Sequence, residues 1–83
     1  MEAFVGQILL LAFNFAPQGL LPCNGQELPI AEYTELFSLI GTTFGGNGET
    51  TFALPDYRDQ APKGSYYCIV IEGVITAQKQ EGQ

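Results

Sequence analysis

Histidine and tryptophan are both missing from this 83-residue sequence, and only Arg58, Lys63 and Lys79 are basic. The lack of histidine removes the commonest general acid–base and metal ligand, so most hydrolytic chemistry loses its usual parts. Nine acidic residues against three basic ones leave a net charge of −6. That balance repels phosphate backbones and anionic lipid surfaces, and argues against nucleic-acid or membrane partners. The longest apolar run, Ile8 to Phe13, falls far short of the ~20 residues a bilayer-spanning helix needs. Met1-Glu2-Ala3 lacks the basic start of a secretory signal. A protein of this kind working outside the cell would leave by another route, such as release with a virion.

Cysteine is scarce as well. Cys23 and Cys68 lie far apart and form no Cys-x-x-Cys or Cys/His group, so zinc and thioredoxin-type readings have no support. A structural disulfide between them and two buried free thiols both remain open. A bridge would add ~2–4 kcal/mol in an oxidising compartment.

Hydrophobic residues, by contrast, make up 46% of the chain and charged ones 14%. That is too apolar for a disordered tail. A domain this short buries only ~60–65% of its unfolded surface, so a partner subunit is the simplest sink for the excess.

Val5 to Phe13 reads as a strand, apolar on both alternating faces through Ile8 to Phe13. Either a neighbour or the helix covers its second face, or the strand is a buried central one. Pro17-Gln18-Gly19 is a turn and Leu20 to Cys23 a short strand. Asn24-Gly25 predicts a type I′ hairpin with Gln26 to Ile30 as the return strand. Tyr33, Leu36, Phe37 and Ile40 fall on one face of a helix over about Ala31 to Ile40, with Glu32 and Glu35 in its first half and Gly41 at its end. Packing of that face onto a sheet outweighs a role in partner binding. Thr42 to Thr51 is a loop, Thr51 to Leu54 a short extended segment, and Tyr66 to Ile75 the last strand, two-sided in Tyr66, Cys68, Val70 against Tyr67, Ile69, Ile71. The expected domain spans residues 1–76, with a flexible tail at 77–83.

Gly45-Gly46-Asn47-Gly48 follows the helix and has no nearby lysine, so it fits neither a phosphate loop nor a dinucleotide site. A tight structural loop is the better reading. In Pro55-Asp56-Tyr57-Arg58-Asp59 two carboxylates flank a guanidinium. With no companion base or nucleophile, Asp56 and Arg58 are expected to fix the loop by ion pairing or hydrogen bonds. No catalytic, metal or cofactor site emerges. Tyr57, Tyr66 and Tyr67 are the aromatics expected to reach a ligand or an interface.

Taken in order, Phe4-Val5-Gly6-Gln7-Ile8, Phe15-Ala16-Pro17-Gln18-Gly19, Pro22-Cys23-Asn24-Gly25-Gln26, Thr34 to Gly48, and Thr50-Thr51-Phe52-Ala53-Leu54-Pro55-Asp56 resemble the phage tail collar domain family, including its microcystin-dependent group, over about residues 4–58. The resemblance implies a small α+β fold of short antiparallel strands, one helix and Gly-rich loops, completed by trimerisation around a fibre axis, structural or receptor-attaching and without catalysis. Leu20 stands where the family usually has tryptophan, and Tyr57-Arg58-Asp59-Gln60 where it tends to read Leu-Arg-Gly-Arg. The family's long Gly-rich insertion is reduced to Ala61 to Ser65. The shortened loop favours a trimeric scaffolding or capping component of a phage tail, tail-like particle or cell-surface filament, partnered by itself and other tail or filament proteins. Its expected subunit contacts are Ile8, Leu10, Phe13, Tyr67, Ile69 and Ile71. The alternative is an adhesion module that recognises a surface glycan or protein receptor through Tyr57, Tyr66 and Tyr67.

Overall fold

A computed structural model of the protein describes residues 4–13 and 15–72. The expected boundary at residue 76, the tail at 77–83 and the far end of the last strand lie outside the described residues. Within them the chain forms β1 (Ile8–Leu11), β2 (Leu20–Pro22), β3 (Glu27–Pro29), a 3₁₀ turn (Ile30–Glu32), α1 (Thr34–Ile40), β4 (Thr51–Ala53) and β5 (Tyr66–Val70). The strands make two antiparallel sheets, one in the order β1-β5-β2 and the other pairing β3 with β4. The expected α+β class of short antiparallel strands and one helix is what the chain adopts.

β1 is an edge strand, not the buried central one; β5 takes the centre. β1 begins after a bulge in which Gly6 N–H donates to Val70 O (2.9 Å) and Val70 N–H to Gln7 O (3.0 Å), placing two residues opposite one. Gly6 has φ +90° there, a backbone that other residues rarely adopt.

The Asn24-Gly25 hairpin does not form. Gly25 turns the chain with positive φ, but β2 pairs with β5 and β3 with β4. The Asn24 side chain accepts the Gln26 N–H (3.1 Å), Gly25 N–H donates to Pro55 O (3.1 Å) and Leu54 N–H to Gln26 O (2.9 Å). The turn therefore hands the chain from one sheet to the other, and long-range partners outcompete the local one.

The helix is shorter than its apolar stripe. Ile30 N–H is held by Thr50 O (2.9 Å) in the ladder between β3 and β4, so the backbone there belongs to the sheet. Tyr33, at φ −133° and ψ 47°, separates the 3₁₀ turn from α1. The stripe itself survives the break. Leu36 is fully buried, and Tyr33, Phe37 and Ile40 pack against the same core as Val5, Cys23, Leu28, Phe52, Leu54 and Ile69. Each such large side chain contributes about 1.5–3 kcal/mol when fully buried. Gly41 ends the helix, its N–H donating to Phe37 O (2.8 Å).

Candidate assembly surface

The three-stranded sheet has one face in the core and one outside. Cα partners on antiparallel strands share a face, so Ile8, Ile69 and Leu21 belong together, as do Leu9, Cys68 and Pro22. Ile69 is 1% exposed, and Ile8, Leu21, Tyr67 and Ile71 pack against the core around it. The outer face is consequently Leu9, Leu11, Leu20, Pro22, Tyr66, Cys68 and Val70, with Tyr66 47% exposed. Cys68 and Val70 are each 2% exposed, Leu9, Leu11 and Leu20 are half-buried, and Tyr66 is the exposed member of the set. Within the paired strands β1, β2 and β5 that face carries no charged side chain. Beyond the end of β1, Phe13 (41% exposed) lies against Phe15 (65% exposed) with ring centroids 4.8 Å apart.

The residues expected at subunit contacts divide between the surface and the core. Leu10 and Phe13 are exposed. Ile69 is consumed by the core, and Ile8, Tyr67 and Ile71 face it too. The strands are two-sided as expected. Half-buried Leu9, Leu11 and Leu20 and exposed Phe15 were not among the expected contacts. Their signal was present in the chain: no residue from Ala3 to Gln26 is charged.

Tyr57, Tyr66 and Tyr67 come together. They line a cleft of about 300 Å³ with Pro22, Cys23, Asn24, Arg58, Ala61 and Ser65. Tyr57 and Tyr67 meet edge to face at 5.8 Å, and Phe44 meets Tyr57 in the same manner at 6.3 Å. A second hollow of about 420 Å³ lies on the other side of Tyr57 and Tyr67, bounded by Ile8, Asp56 and Gln60. The short Ala61–Ser65 connection closes back on itself, Ser65 donating from both N–H (3.0 Å) and Oγ (2.6 Å) to Pro62 O.

Asp56 and Arg58 form a two-point pair, with Nε to Oδ1 at 2.9 Å and Nη2 to Oδ2 at 2.6 Å. These hydrogen bonds hold the Asp56 carboxyl down at about 2 and raise Arg58 further above its already high value. The same carboxylate accepts the Arg58 N–H (3.2 Å), so the pair braces its own turn. Gly45, Gly46 and Gly48 sit in a loop tied to β4: Ala53 N–H donates to Gly45 O (3.0 Å) and Gly48 N–H to Thr51 O (2.9 Å). A Cβ on Gly46 would stand 2.3 Å from Phe52 Cα, inside the neighbouring backbone. Pro55 is buried at the end of the segment that follows β4. Asn47 organises the loop tip, its Oδ1 accepting N–H groups of Glu49, Thr50 and Thr51 at 2.7, 2.8 and 3.1 Å.

Cys23 and Cys68 are both buried free thiols. Cys23 N–H bonds Tyr67 O (3.0 Å), which sets Cys23 opposite Tyr67 and on the core face. Cys68 belongs to the outer face. Burial pushes the Cys23 thiol up to about 11, with Cys68 nearby adding to the shift, and burial also raises Cys68.

The family model described as Phage Tail Collar Domain aligns with residues 6–62. The chain belongs to the phage tail collar domain family. Membership points to a structural role in a phage tail fibre. No curated protein and no solved structure matched the chain. In this collar chain the matched region holds β1 through β4 and both sides of the Asp56–Arg58 brace, while β5, the central strand, lies beyond it. No helix among the described residues is long and apolar enough to cross a membrane.

Proposed function

We propose that this collar chain is a non-enzymatic scaffolding or capping subunit of a phage tail, a tail-like particle or a cell-surface filament, acting as a homotrimer on the outside of the cell or virion. The observation that carries the reading is the uncharged second face of the three-stranded sheet, together with the exposed Phe13–Phe15 pair beyond the end of β1. A chain this short has little core of its own, and oligomerisation supplies the missing burial. Cyclic trimers need two different patches that fit each other. The second face of the sheet and the Phe13–Phe15 pair are candidates for them that bring no acidic groups together. The self-closed Ala61–Ser65 turn favours scaffolding, because it leaves no long arm to reach a receptor. Size-exclusion chromatography with light scattering tests the reading. Three copies or a multiple of three is the expected mass, and a monomer at micromolar concentration overturns it.

A second reading is supported by the cleft that gathers Tyr57, Tyr66 and Tyr67: a compact adhesion module that binds a surface glycan or receptor protein by stacking on those rings. Tyr66→Ala should abolish signal on a glycan array or on whole cells. Absent binding by the unaltered chain removes the reading.

A further inference from the structure

Each sheet ends in two strands, and each end strand turns a row of N–H and C=O groups outward, where another chain can pair with them. Natural sheets block such edges. Three of the four edges here are blocked, each by a different device.

On β3 the ladder bonds from Leu54 N–H to Gln26 O and from Ile30 N–H to Thr50 O set the alternation, so Glu27 and Pro29 face outward. A charge and a proline are the usual guards of an edge. On β4 the outward residues are Thr51 and Ala53, and the glycine loop already takes their groups through Asn47 Oδ1, Gly48 N–H and Gly45 O. On β2 the bond from Cys23 N–H to Tyr67 O turns Leu20 and Pro22 outward. Leu20 N–H is spent on Pro17 O (3.0 Å), Pro22 has no N–H, and Pro22 O accepts Asn24 N–H (3.0 Å).

β1 has none of these devices. The bond from Val70 N–H to Gln7 O fixes its alternation and turns Ile8 and Leu10 outward. Among the described residues nothing hydrogen-bonds the backbone of either, and Leu10 is 47% exposed.

We infer that the open edge of β1 pairs with β1 of a second copy, antiparallel about a two-fold axis at Leu9. Ile8 exchanges N–H and C=O with Leu10 of the second copy, and Leu10 with its Ile8, giving one continuous sheet in the order β2-β5-β1-β1-β5-β2. A second copy fits because the chain carries a net charge of −6 while residues 3–26 carry none. Two such chains meet here without acid-on-acid repulsion. The contact is isologous and closes on itself, and the blocked β2 edges stop further growth. It is separate from the trimer contact, so the two combine to give six copies if both hold.

The test is the mass of the full chain and of Leu10→Pro by light scattering. Proline at position 10 deletes only an outward N–H and leaves the ladder to β5 intact. Six copies falling to three, or two falling to one, is the expected result; two copies would remove the trimer and keep the edge pairing. Three copies or one in the unaltered chain, or an unchanged mass in a folded Leu10→Pro, overturns the edge pairing. If Leu10→Pro does not fold, amide exchange on the unaltered chain decides. Ile8 and Leu10 amides that become exchangeable on dilution support the pairing. Amides that exchange freely at all concentrations overturn it, as do amides protected in a monomer, which would mean that another segment of the same chain covers the edge.

Discussion

The three-stranded sheet and the segment from Asn24 to Ser65 are stabilised by different means. In the sheet, no residue from Phe4 to Cys23 or from Tyr66 to Ile71 is charged, and its outer face is apolar. In the connecting segment lie Glu27, Glu32, Glu35, Glu49, Asp56, Arg58, Asp59 and Lys63. Its loops are satisfied from within by Asn47, the glycine backbone and the Asp56–Arg58 brace. One half is locally self-sufficient in hydrogen bonds, whereas the other exposes apolar surface that water does not reward.

The strongest way to break that division is Gly46→Ala. The new methyl would strike the Phe52 backbone at a position with φ +94°. A loss of about 3 kcal/mol is expected, a drop of roughly 12–24 °C in the melting temperature of a domain this size. A melt unchanged within error would show that the loop is not tied to the core as described.

Leu20→Glu probes the other half. The fold should persist by circular dichroism while self-association weakens at least tenfold, since one buried leucine is worth about 1.5–3 kcal/mol. Analytical ultracentrifugation reads the change. Undiminished association would move the contact elsewhere.

The thiols sharpen the comparison more gently. Without a bridge, both cysteines take up a thiol reagent under denaturing, non-reducing conditions, and neither reacts quickly in the native protein. Cys23 has its folded value raised from 9.0 to about 11. Its contribution to stability is therefore complete below about pH 9 and is lost as pH rises toward 11.

The smallest effect belongs to the brace. Asp56 is lowered from 3.8 to about 2, so its contribution is present above pH 3.8 and disappears as pH falls through about 2. Both partners are exposed, and Arg58→Ala should erase this acid-side dependence in an NMR titration with little change in the neutral-pH melt.

Local chemistry was legible in the sequence. The Pro17–Gly19 turn, the glycine loop, the helix stripe and the end at Gly41 all depend on residues within a few positions of one another. The Asn24-Gly25 dipeptide was legible as a turn but not as a hairpin, because its flanking strands are claimed by β5 and β4, dozens of residues downstream. The same non-local choice placed β5 at the sheet centre and so decided which alternation of β1 faces out. Ile69 and Leu9 are equally apolar, and only the register between β1 and β5 assigns them to opposite faces of the sheet.

The charge-free side of this collar domain is its proposed assembly surface. Carbene footprinting of the native protein, compared at assembling and dissociating concentrations, measures that directly. Protection gained at Leu9, Leu10, Leu11, Phe13, Phe15 and Leu20, with Glu32, Glu35 and Glu49 equally labelled in both states, is the predicted result. Protection confined to the acidic helix and loop, with the leucines labelled throughout, would contradict it.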